Sequence, residues 1–377
     1  MRAILDAKAL RNAALVALRS VDQKTGIDVL AHLMMIANNG AVSLTGTDLN
    51  IAITATIEAM VEIPGTAILP AGRFVGLLIG LSGSIRIEAN GGTAILRCGR
   101  SAYRLATLPL DYFPTWVELD ADRTASWKVG GKDLHGLLAV AVAVSSEDPS
   151  PNHHGVALQN DSGFLCATAT DGKRLIHAGT GIPYGNQQLH FESETRRGVI
   201  IPMSTATLVA KLFKRDATIA TDGRRITVSA DGLILTSKLI DDVFPNWSRV
   251  VPEPSATMMA KVESAADVLG ALRRCIAVAG KQEKTSPTIT LAWDSDVSAE
   301  IINLTLKRPE CDAHEVVGAT NVAGSVSIRV NAEYLADVIE TFDADAVVLS
   351  LQNGKSAPAP IRVDTPDMFG LVAQCKF

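Results

Sequence analysis

The stretch Ala167-Thr168-Ala169-Thr170-Asp171-Gly172-Lys173-Arg174-Leu175 is typical of a tight β-hairpin. Apolar and β-branched residues lead into Asp171-Gly172, and a second apolar strand follows over residues 175–178. Asp and Gly suit the backbone geometry of such a turn, so neither residue needs a further role. A related stretch, Leu44-Thr45-Gly46-Thr47-Asp48-Leu49, stands in the corresponding place of an earlier unit. The hairpin therefore marks a repeated element.

The chain contains three similar units in succession. Each unit opens with an amphipathic helix pattern, carries a second helix after a strand, and ends in alternating strands joined by glycine turns. The second helix starts beside Pro70, Pro202 and Asn331, a period of about 130 residues. The six predicted helices span residues 6–21, 73–81, 132–145, 205–213, 264–280 and 334–342. This organisation predicts three α+β domains, residues 1–122, 123–253 and 254–377.

Composition is that of a folded globular protein. The 377 residues are 47% hydrophobic and 20% charged, and no apolar run reaches the roughly 18 residues that span a bilayer. Because the N-terminus lacks a secretory pattern, we expect a cytoplasmic protein without a membrane partner. The five cysteines have no paired spacing, which argues against a disulfide framework or a zinc site. We expect buried thiols, no metal and no cofactor.

The distribution of charge matters more than its total. A net charge of −5 argues against a nucleic-acid partner, but binding depends on where basic side chains gather. Lys and Arg outnumber Asp on the first five helix segments, whereas the sixth, residues 331–343, is acidic. On one helix such charge is most simply a solvated face, but five helices with one bias favour a surface for the phosphate backbone. Without interleaved aromatic residues, the pattern favours sequence-independent contact with duplex DNA over a single-strand stacking platform.

A catalytic alternative has weak support. Asp48, Asp171 and Asp222 occupy turn positions and could form a carboxylate cluster, but the first two fall in different units. The pair His153-His154 has no third ligand at metal spacing. The sequence Gly99-Arg100-Ser101 lacks the lysine and the spacing of a phosphate loop. No catalytic residue is therefore predicted.

The sequence resembles the family of the bacterial sliding clamp, the β subunit of the replicative DNA polymerase III. The matching residues keep their order along the whole chain: Leu44-Thr45-Gly46-Thr47-Asp48-Leu49, Pro70 with Arg73-Phe74, Gly99-Arg100-Ser101, Thr107-Leu108-Pro109, Phe113-Pro114, Ala169-Thr170-Asp171-Gly172, Arg174-Leu175, Thr236-Ser237-Lys238-Leu239, Phe244-Pro245, Arg249-Val250, Pro252, and Asn331 with Tyr334.

The resemblance implies a ring. Two three-domain protomers would form a head-to-tail homodimer, with helices lining a central hole for double-stranded DNA and antiparallel sheets outside. The region 99–107 of one protomer would meet the helix 264–280 of the other. Such a clamp is a non-catalytic processivity factor. The expected DNA-binding residues are Lys24, Arg73, Lys211, Lys214, Arg274 and Lys281.

The resemblance also implies a peptide groove between domains 2 and 3. Its expected partners are the DNA polymerase III α subunit, the clamp loader and other proteins with a clamp-binding motif. Its expected lining is Thr170, Gly172, Arg174, Leu175, Pro245, Val250, Asn331, Tyr334, Leu371, Val372 and Cys375. The C-terminus, Ala373-Gln374-Cys375-Lys376-Phe377, lacks the proline and methionines usual in the family, so peptide preference is expected to differ. An accessory or resistance-associated copy that sequesters a ligand or partner peptide is the alternative.

Overall fold

Two compact units make up the chain. The computed structural model describes residues 1–377 except 25, 116–117, 146–149, 186–197, 281–285, 353–358 and 376–377. Apart from these gaps, the first unit contains Met1–Gly131 and Leu208–Leu239. The second contains Lys132–Asn186, Ser193–Thr207 and Ile240–Phe377, again without the undescribed residues.

Six α-helices lie where the periodicity predicts them. They are α1 (Ala7–Ala17), α2 (Ala71–Leu78), α3 (Gly131–Ala139), α4 (Met203–Leu212), α5 (Ala265–Ala279) and α6 (Ala332–Phe342) in the described residues. The first and third are shorter than expected, because the chain tightens into 3₁₀ turns at Leu18–Ser20 and Val140–Ala143. Pro70 is the N-cap of α2, with ψ 108°, and so precedes the first turn instead of lying within it. Helix ends, not helix positions, were the inaccurate part of the prediction.

Twenty-six strands are described. They are β1 (Arg2–Asp6), β2 (His32–Asn38), β3 (Ala41–Thr47), β4 (Ile51–Glu58), β5 (Met60–Ile63), β6 (Gly65–Pro70), β7 (Ser84–Asn90), β8 (Thr93–Cys98), β9 (Ser101–Ala106), β10 (Ala125–Val129), β11 (Gly155–Asp161), β12 (Phe164–Thr170), β13 (Arg174–Pro183), β14 (Gly198–Pro202), β15 (Ala217–Thr221), β16 (Arg225–Ala230), β17 (Leu233–Lys238), β18 (Met259–Val262), β19 (Thr288–Asp294), β20 (Ser298–Lys307), β21 (Asp312–Gly318), β22 (Thr320–Ala323), β23 (Ser325–Asn331), β24 (Val347–Ser350), β25 (Ile361–Asp364) and β26 (Met368–Val372).

Every described strand pair is antiparallel, as an α+β chain requires. The first unit holds the sheets β5-β1-β7-β8-β9 and β10-β15-β16-β17-β4-β3-β2-β6. The second holds β14-β11-β12-β13-β26-β25-β24-β18-β22 and β21-β20-β19-β23. Alternating side chains bury one face of these strands against the helices: in the first unit, Leu33 and Met35 of β2 share a buried cluster with Leu10 of α1 and Phe74 of α2.

The same Thr-Asp turn closes three hairpins. It joins β3 to β4 at Thr47-Asp48, β12 to β13 at Thr170-Asp171, and β15 to β16 at Thr221-Asp222. In each turn the aspartate Oδ1 accepts two backbone N–H bonds of 2.7 to 2.9 Å. The threonine hydroxyl donates to the carbonyl four residues ahead. The residue after the aspartate has a positive φ, which suits Gly172 and Gly223 but falls on leucine at position 49.

Two of these turns lead into strands that pair with a distant part of the chain. In the first unit β4 pairs with β17, so that Ala52 lies opposite Thr236. In the second unit β13 pairs with β26, so that Leu175 lies opposite Leu371. The turn sets where each strand starts and therefore which side chains share a face.

The cysteines only partly match the expectation of buried thiols. All five are free, and Cys166 and Cys275 are buried, but Cys98, Cys311 and Cys375 are only half-buried. Burial raises the pKa of the Cys166 thiol to about 12, which keeps it protonated. Separately, none of the described helices has the length and apolar character needed to cross a membrane.

Candidate peptide-binding and DNA-binding sites

The pair β13–β26 forms the base of the predicted peptide site. Arg174 lies opposite Val372, and Leu175 lies opposite Leu371. Leu175 and Leu371 are each 4% exposed, and Val372 is fully buried. These three apolar residues therefore form the buried base of the predicted site and expose little surface to a ligand.

Arg174 ties this base to helix α6. Its Nε donates to Asp171 Oδ2 at 3.1 Å, and its Nη1 contacts the carboxylate of Asp337. Its Nη2 donates to the carbonyl of Val142 at 2.7 Å, and its guanidinium stacks over the ring of Tyr334. Because the side chain is only 11% exposed, its charge is compensated inside the protein.

Polar residues of the predicted groove also hold the backbone in place. The Thr170 hydroxyl donates to the carbonyl of Arg174 and accepts the N–H of Gly172. Asn331 caps α6, since its Oδ1 accepts the N–H groups of Glu333 and Tyr334 at 2.9 and 3.2 Å. These contacts fix the backbone at Thr170 and Asn331.

The C-terminal residues join the same region. The N–H of Ala373 donates to the carbonyl of Lys173, within the Thr-Asp hairpin. Half-buried Cys375 is anchored through its N–H to the carbonyl of Arg329, and the Gln374 side chain donates to the carbonyl of Ala359 at 2.7 Å. The unusual C-terminal residues are thus built into the second unit by hydrogen bonds.

A cluster of rings lies beside Leu175 and Leu371 on the same strand pair. His177 lies opposite Phe369, and their ring centroids are 4.8 Å apart. The indole of Trp247 is 4.6 Å from the His177 ring, and the guanidinium of Arg362 lies 4.6 Å from the centroid of Phe369. Side chains two apart along a strand share a face, so the rings continue the surface that Leu175 and Leu371 begin.

Sequence reasoning missed this ring cluster. Two signals could have found it: the period of two that places His177 with Leu175, and the sequence Phe244-Pro245-Asn246-Trp247 after a strand. The first half of that sequence was noted, because Phe113-Pro114 repeats it. The pairing of β13 with β26, which brings the rings together, is not visible locally.

Burial keeps the central ring of the cluster neutral. The pKa of His177 is lowered to about 4, mainly by burial and to a lesser extent by the Arg362 cation, whereas the Asp161 carboxylate opposes both. At pH 7 the contact between His177 and Asp161, 3.6 Å long, is therefore not an ion pair. A His177 ring nitrogen is hydrogen-bonded to the Thr168 hydroxyl at 2.9 Å.

Pro245 and Val250 flank Trp247. The carbonyl of Pro245 accepts the N–H of Trp247 at 2.8 Å, and the carbonyl of Trp247 accepts the N–H of Val250 at 3.0 Å. Val250 is 59% exposed, which makes it the most accessible apolar residue of the predicted lining. It is the position at which a ligand could add apolar contact at little cost to the fold.

The predicted DNA-binding residues differ in whether their charge is paired within the protein. Lys24, Arg73, Lys211 and Lys214 are exposed in the first unit. Lys281 lies outside the described residues. Each stays a prediction. Arg274 is exposed as well, so five of the six have solvent-exposed side chains from which a phosphate contact could be made.

Arg274 is paired within the protein. Its Nε and Nη2 donate to the two carboxylate oxygens of Glu315 on β21 at 2.8 and 2.7 Å. These hydrogen bonds lower the pKa of Glu315 and raise that of Arg274. The neighbouring Arg273 donates to Glu340 at 2.7 Å. Helix α5 thus presents two arginines whose charges are each matched by a carboxylate.

Each aspartate of the catalytic alternative stabilises its own turn. Asp48, Asp171 and Asp222 accept backbone N–H bonds inside three separate hairpins. In the described part of the chain, no group of three or more His, Cys, Asp or Glu side chains is placed to hold a metal ion.

Two family models and several known proteins match this chain. Residues 1–117 match the model of the DNA polymerase III beta subunit N-terminal domain, and residues 132–246 match that of its central domain. The Beta sliding clamp of Pseudomonas aeruginosa is 24% identical over 356 residues, which is 92% of each chain. That of Escherichia coli is 24% identical over 340 residues, 88% of this chain and 87% of the relative.

Solved structures agree in fold. The crystal structure of the DNA polymerase III subunit beta from Pseudomonas aeruginosa superposes with a TM-score of 0.87 at 23% identity, covering both chains fully. The Caulobacter crescentus beta sliding clamp superposes with a TM-score of 0.84 at 22% identity, covering 100% of this chain and 99% of that one. Two family models together match well over half of the sequence, and the strand order, the six helices and the repeated turn fit the fold. The chain belongs to the family of the DNA polymerase III beta subunit, the beta sliding clamp.

Proposed function

We propose that the chain encircles duplex DNA as a head-to-tail homodimer and tethers replication proteins through the β13–β26 site. Each protomer would contribute three similar domains, residues 1–122, 123–253 and 254–377. The ring would retain DNA by closure, so the protein needs only weak, sequence-independent contacts and no catalytic group.

Ring closure is supported by the edges of two sheets. Strand β9 is the outer strand of the five-stranded sheet, and β21 is the outer strand of the four-stranded sheet. Outer strands carry backbone donors and acceptors that are open to pairing with another chain. Helix α5 packs beside β21 and is joined to it by Arg274 and Glu315, so the expected interface regions 99–107 and 264–280 both lie at sheet edges. If the same interface between two unlike surfaces forms twice, two protomers close into a ring.

DNA contact is supported by exposed basic side chains on a chain of net charge −5. Lys211 and Lys214 project from the end of α4, and Arg73 projects from α2. An acidic protein with locally concentrated cations can hold the phosphate backbone weakly and still slide along it.

Peptide binding is supported by a largely buried apolar floor with fixed polar contacts around it and an exposed apolar residue nearby. Leu175, Leu371 and the ring cluster form its floor, and exposed Val250 lies at its margin. Such a face suits an extended peptide with apolar anchors, for which the expected sources are the polymerase α subunit, the clamp loader and other clamp-binding proteins.

Loading on DNA tests the proposal as a whole. We expect a mass in solution of about twice 39.8 kDa, and we expect protein loaded on a circular duplex to be released when the circle is cut. A monomer at micromolar concentration, or release that ignores cutting, would contradict the ring. For the peptide site, Val250→Glu should weaken polymerase binding, whereas Val297→Glu, at a residue 83% exposed on β-turn 295–297, should not.

A further inference from the structure

A cavity of about 240 Å³ opens on the four-stranded sheet of the second unit. Strands β19, β20 and β23, with the turn between β19 and β20, supply its described lining, and none of these lining residues adjoins an undescribed one in the sequence. The volume lies just below the usual range of pockets for drug-sized ligands, roughly 300 to 1,000 Å³. The cavity therefore suits a smaller group, such as one amino-acid side chain or a molecule of that size.

An irregularity in strand pairing opens this cavity. Ala292 of β19 lies opposite Asn303 of β20. The next pair in register, Asp294 with Ser298, comes two steps further along β19 but five along β20. The surplus part of β20 stays paired with β21 from residue 301 onward. Since bulges of this kind separate neighbouring strands locally and re-aim side chains, the gap between β19 and β20 is built into the sheet.

The carboxylate of Asp294 in this cavity has unused acceptor capacity. Its Oδ1 accepts the N–H of Asp296 at 3.0 Å, and its Oδ2 accepts the Ser325 hydroxyl at 3.1 Å. Both donors are neutral, and no lysine, arginine or histidine of the described ranges is paired with Asp294. An ionised carboxylate offers about four acceptor sites, so about half of those on Asp294 are open to a donor from another molecule.

A second acceptor and an apolar wall line the same cavity. The side-chain amide of half-buried Asn303 has no hydrogen bond to any described residue, so its carbonyl oxygen is free to accept one. Ala292 and half-buried Ile301 add methyl and methylene surface. The cavity thus places polar acceptors next to surface against which an alkyl chain can pack.

Charge narrows the ligand to a cation. Asp294 is the one ionisable side chain of the described lining, and the carboxylates of exposed Asp296 and Glu300 follow closely in the sequence. Acidic groups of one sign attract a cation and repel a carboxylate or phosphate. A primary ammonium carries three donors on a compact centre, which matches the open acceptors of Asp294 and Asn303.

We propose that this cavity binds a primary alkylammonium group, with the ammonium beside Asp294 and Asn303 and the alkyl stem against Ile301. Two sources share this chemistry: a free polyamine and the side chain of a lysine on another protein. The site depends neither on ring closure nor on the β13–β26 face, so its failure would leave the proposed function intact.

Methyl NMR on the full chain, with labelled isoleucine and valine methyl groups, tests the proposal with n-butylammonium as the probe. We expect saturable shifts at Ile301 and at Val326, which also lines the cavity, with half-saturation in the millimolar range. Butan-1-ol, which lacks the charge, and butyrate, which reverses it, should bind roughly tenfold more weakly or not at all. If butan-1-ol shifts these methyl groups equally, or if n-butylammonium causes no saturable shift there, the proposal is overturned.

Two variants test the charge and the space separately. Asp294→Asn keeps an oxygen for the Ser325 hydroxyl but removes the charge, and it should weaken n-butylammonium binding roughly tenfold. Ser327→Phe places a ring in the cavity with the charge intact and should also remove binding. Asp343→Asn, an equal loss of charge at the exposed end of α6, should leave the affinity unchanged. Binding that survives Asp294→Asn or Ser327→Phe contradicts the proposal.

Two further probes distinguish the sources of the ammonium group. They are butane-1,4-diamine, for a free polyamine, and Nα-acetyl-lysine methylamide, for a lysine within a protein. Tighter binding of the diamine would identify a free polyamine as the ligand, and binding of the lysine derivative at least as tight would identify a partner protein. If neither competes with n-butylammonium at the Ile301 methyl groups, the cavity does not recognise the ammonium group and the proposal falls.

Discussion

The guanidinium of Arg174 lies over the ring of Tyr334, 4.7 Å from its centroid, while the same group contacts the carboxylates of Asp171 and Asp337. One side chain thereby joins the hairpin after β12 to helix α6. A residue expected only to line a peptide groove also joins two elements of the second unit, so mutating it affects stability as well as any peptide binding.

Replacing Arg174 with alanine should destabilise the second unit. The change leaves Asp171 and the partly exposed Asp337 without this cation and removes the stacked contact, and a lost hydrogen bond to a charged group costs roughly 1.5–3 kcal/mol. Urea unfolding should show a lower midpoint, with partial recovery in Arg174→Lys, which cannot reproduce the planar fork. Lys173→Ala, one residue away and exposed, is the matched control. An unchanged midpoint in Arg174→Ala would show that the ion pairs make no net contribution to the free energy of unfolding.

His177 should make stability depend on pH. Its folded pKa is about 4 against an ordinary 6.5, so the unfolded chain binds more protons between these values. Stability is then fully present above pH 6.5 and falls by about 3 kcal/mol as the pH drops toward 4. Unfolding free energies measured across this window should fall less in His177→Phe, which keeps an aromatic ring between Trp247 and Phe369. Equal losses in both proteins would assign the pH dependence to other groups.

The positive φ values at the Thr-Asp turns predict opposite effects of two substitutions. Leu49 has φ +74° and is 39% exposed, so Leu49→Gly should stabilise the protein by up to about 1 kcal/mol through relief of left-handed strain. Gly172 has φ +77°, so Gly172→Ala should destabilise it by a similar amount, about 1 kcal/mol. Denaturant midpoints of the two variants should move in opposite directions. Movement in the same direction would mean that side-chain contacts, not backbone strain, determine the effect of substitutions at these turns on stability.

The pairing of Arg274 with Glu315 predicts an unusual response in DNA binding. Glu315→Gln should strengthen association with duplex DNA and steepen its salt dependence, by about 0.9 in the log–log slope for one added phosphate contact, because it releases a cation. Arg274→Ala should have a smaller effect, since its charge is already matched. Asp296→Asn, the same loss of charge at an exposed turn, serves as control. If Glu315→Gln and Asp296→Asn strengthen DNA binding equally, the change in net charge, and not the release of Arg274 on α5, is responsible.

Local patterns predicted the helices well. The predicted helix starts at Asp6, Ser264 and Asn331 coincide with the N-caps of α1, α5 and α6, because capping and apolar periodicity act within a few residues. The Thr-Asp hairpins were also readable, since Asp and Gly are selected by the turn itself. Only helix ends and the role of Pro70 needed correction.

The site was less predictable, because its parts meet through long-range pairing. The ring cluster requires β13 to pair with β26, and the ion pair of Arg274 joins residues 41 positions apart. A sequence shows that Arg274 is basic and on the outer face of a helix, but not that a carboxylate of another strand lies beside it.

Because side chains alternate along a strand, the length of the Thr-Asp turn also determines which side chains of the following strand lie on each face of the sheet. Inserting one residue between Asp171 and Arg174 would send Leu175 and His177 toward α6 and turn Arg174 and Ile176 outward, if the pairing with β26 were kept. The length of a three-residue loop thereby determines which side chains of β13 lie on each face of the sheet. A change in the length of that loop would therefore alter every side chain of β13 at once, whereas a point substitution alters one.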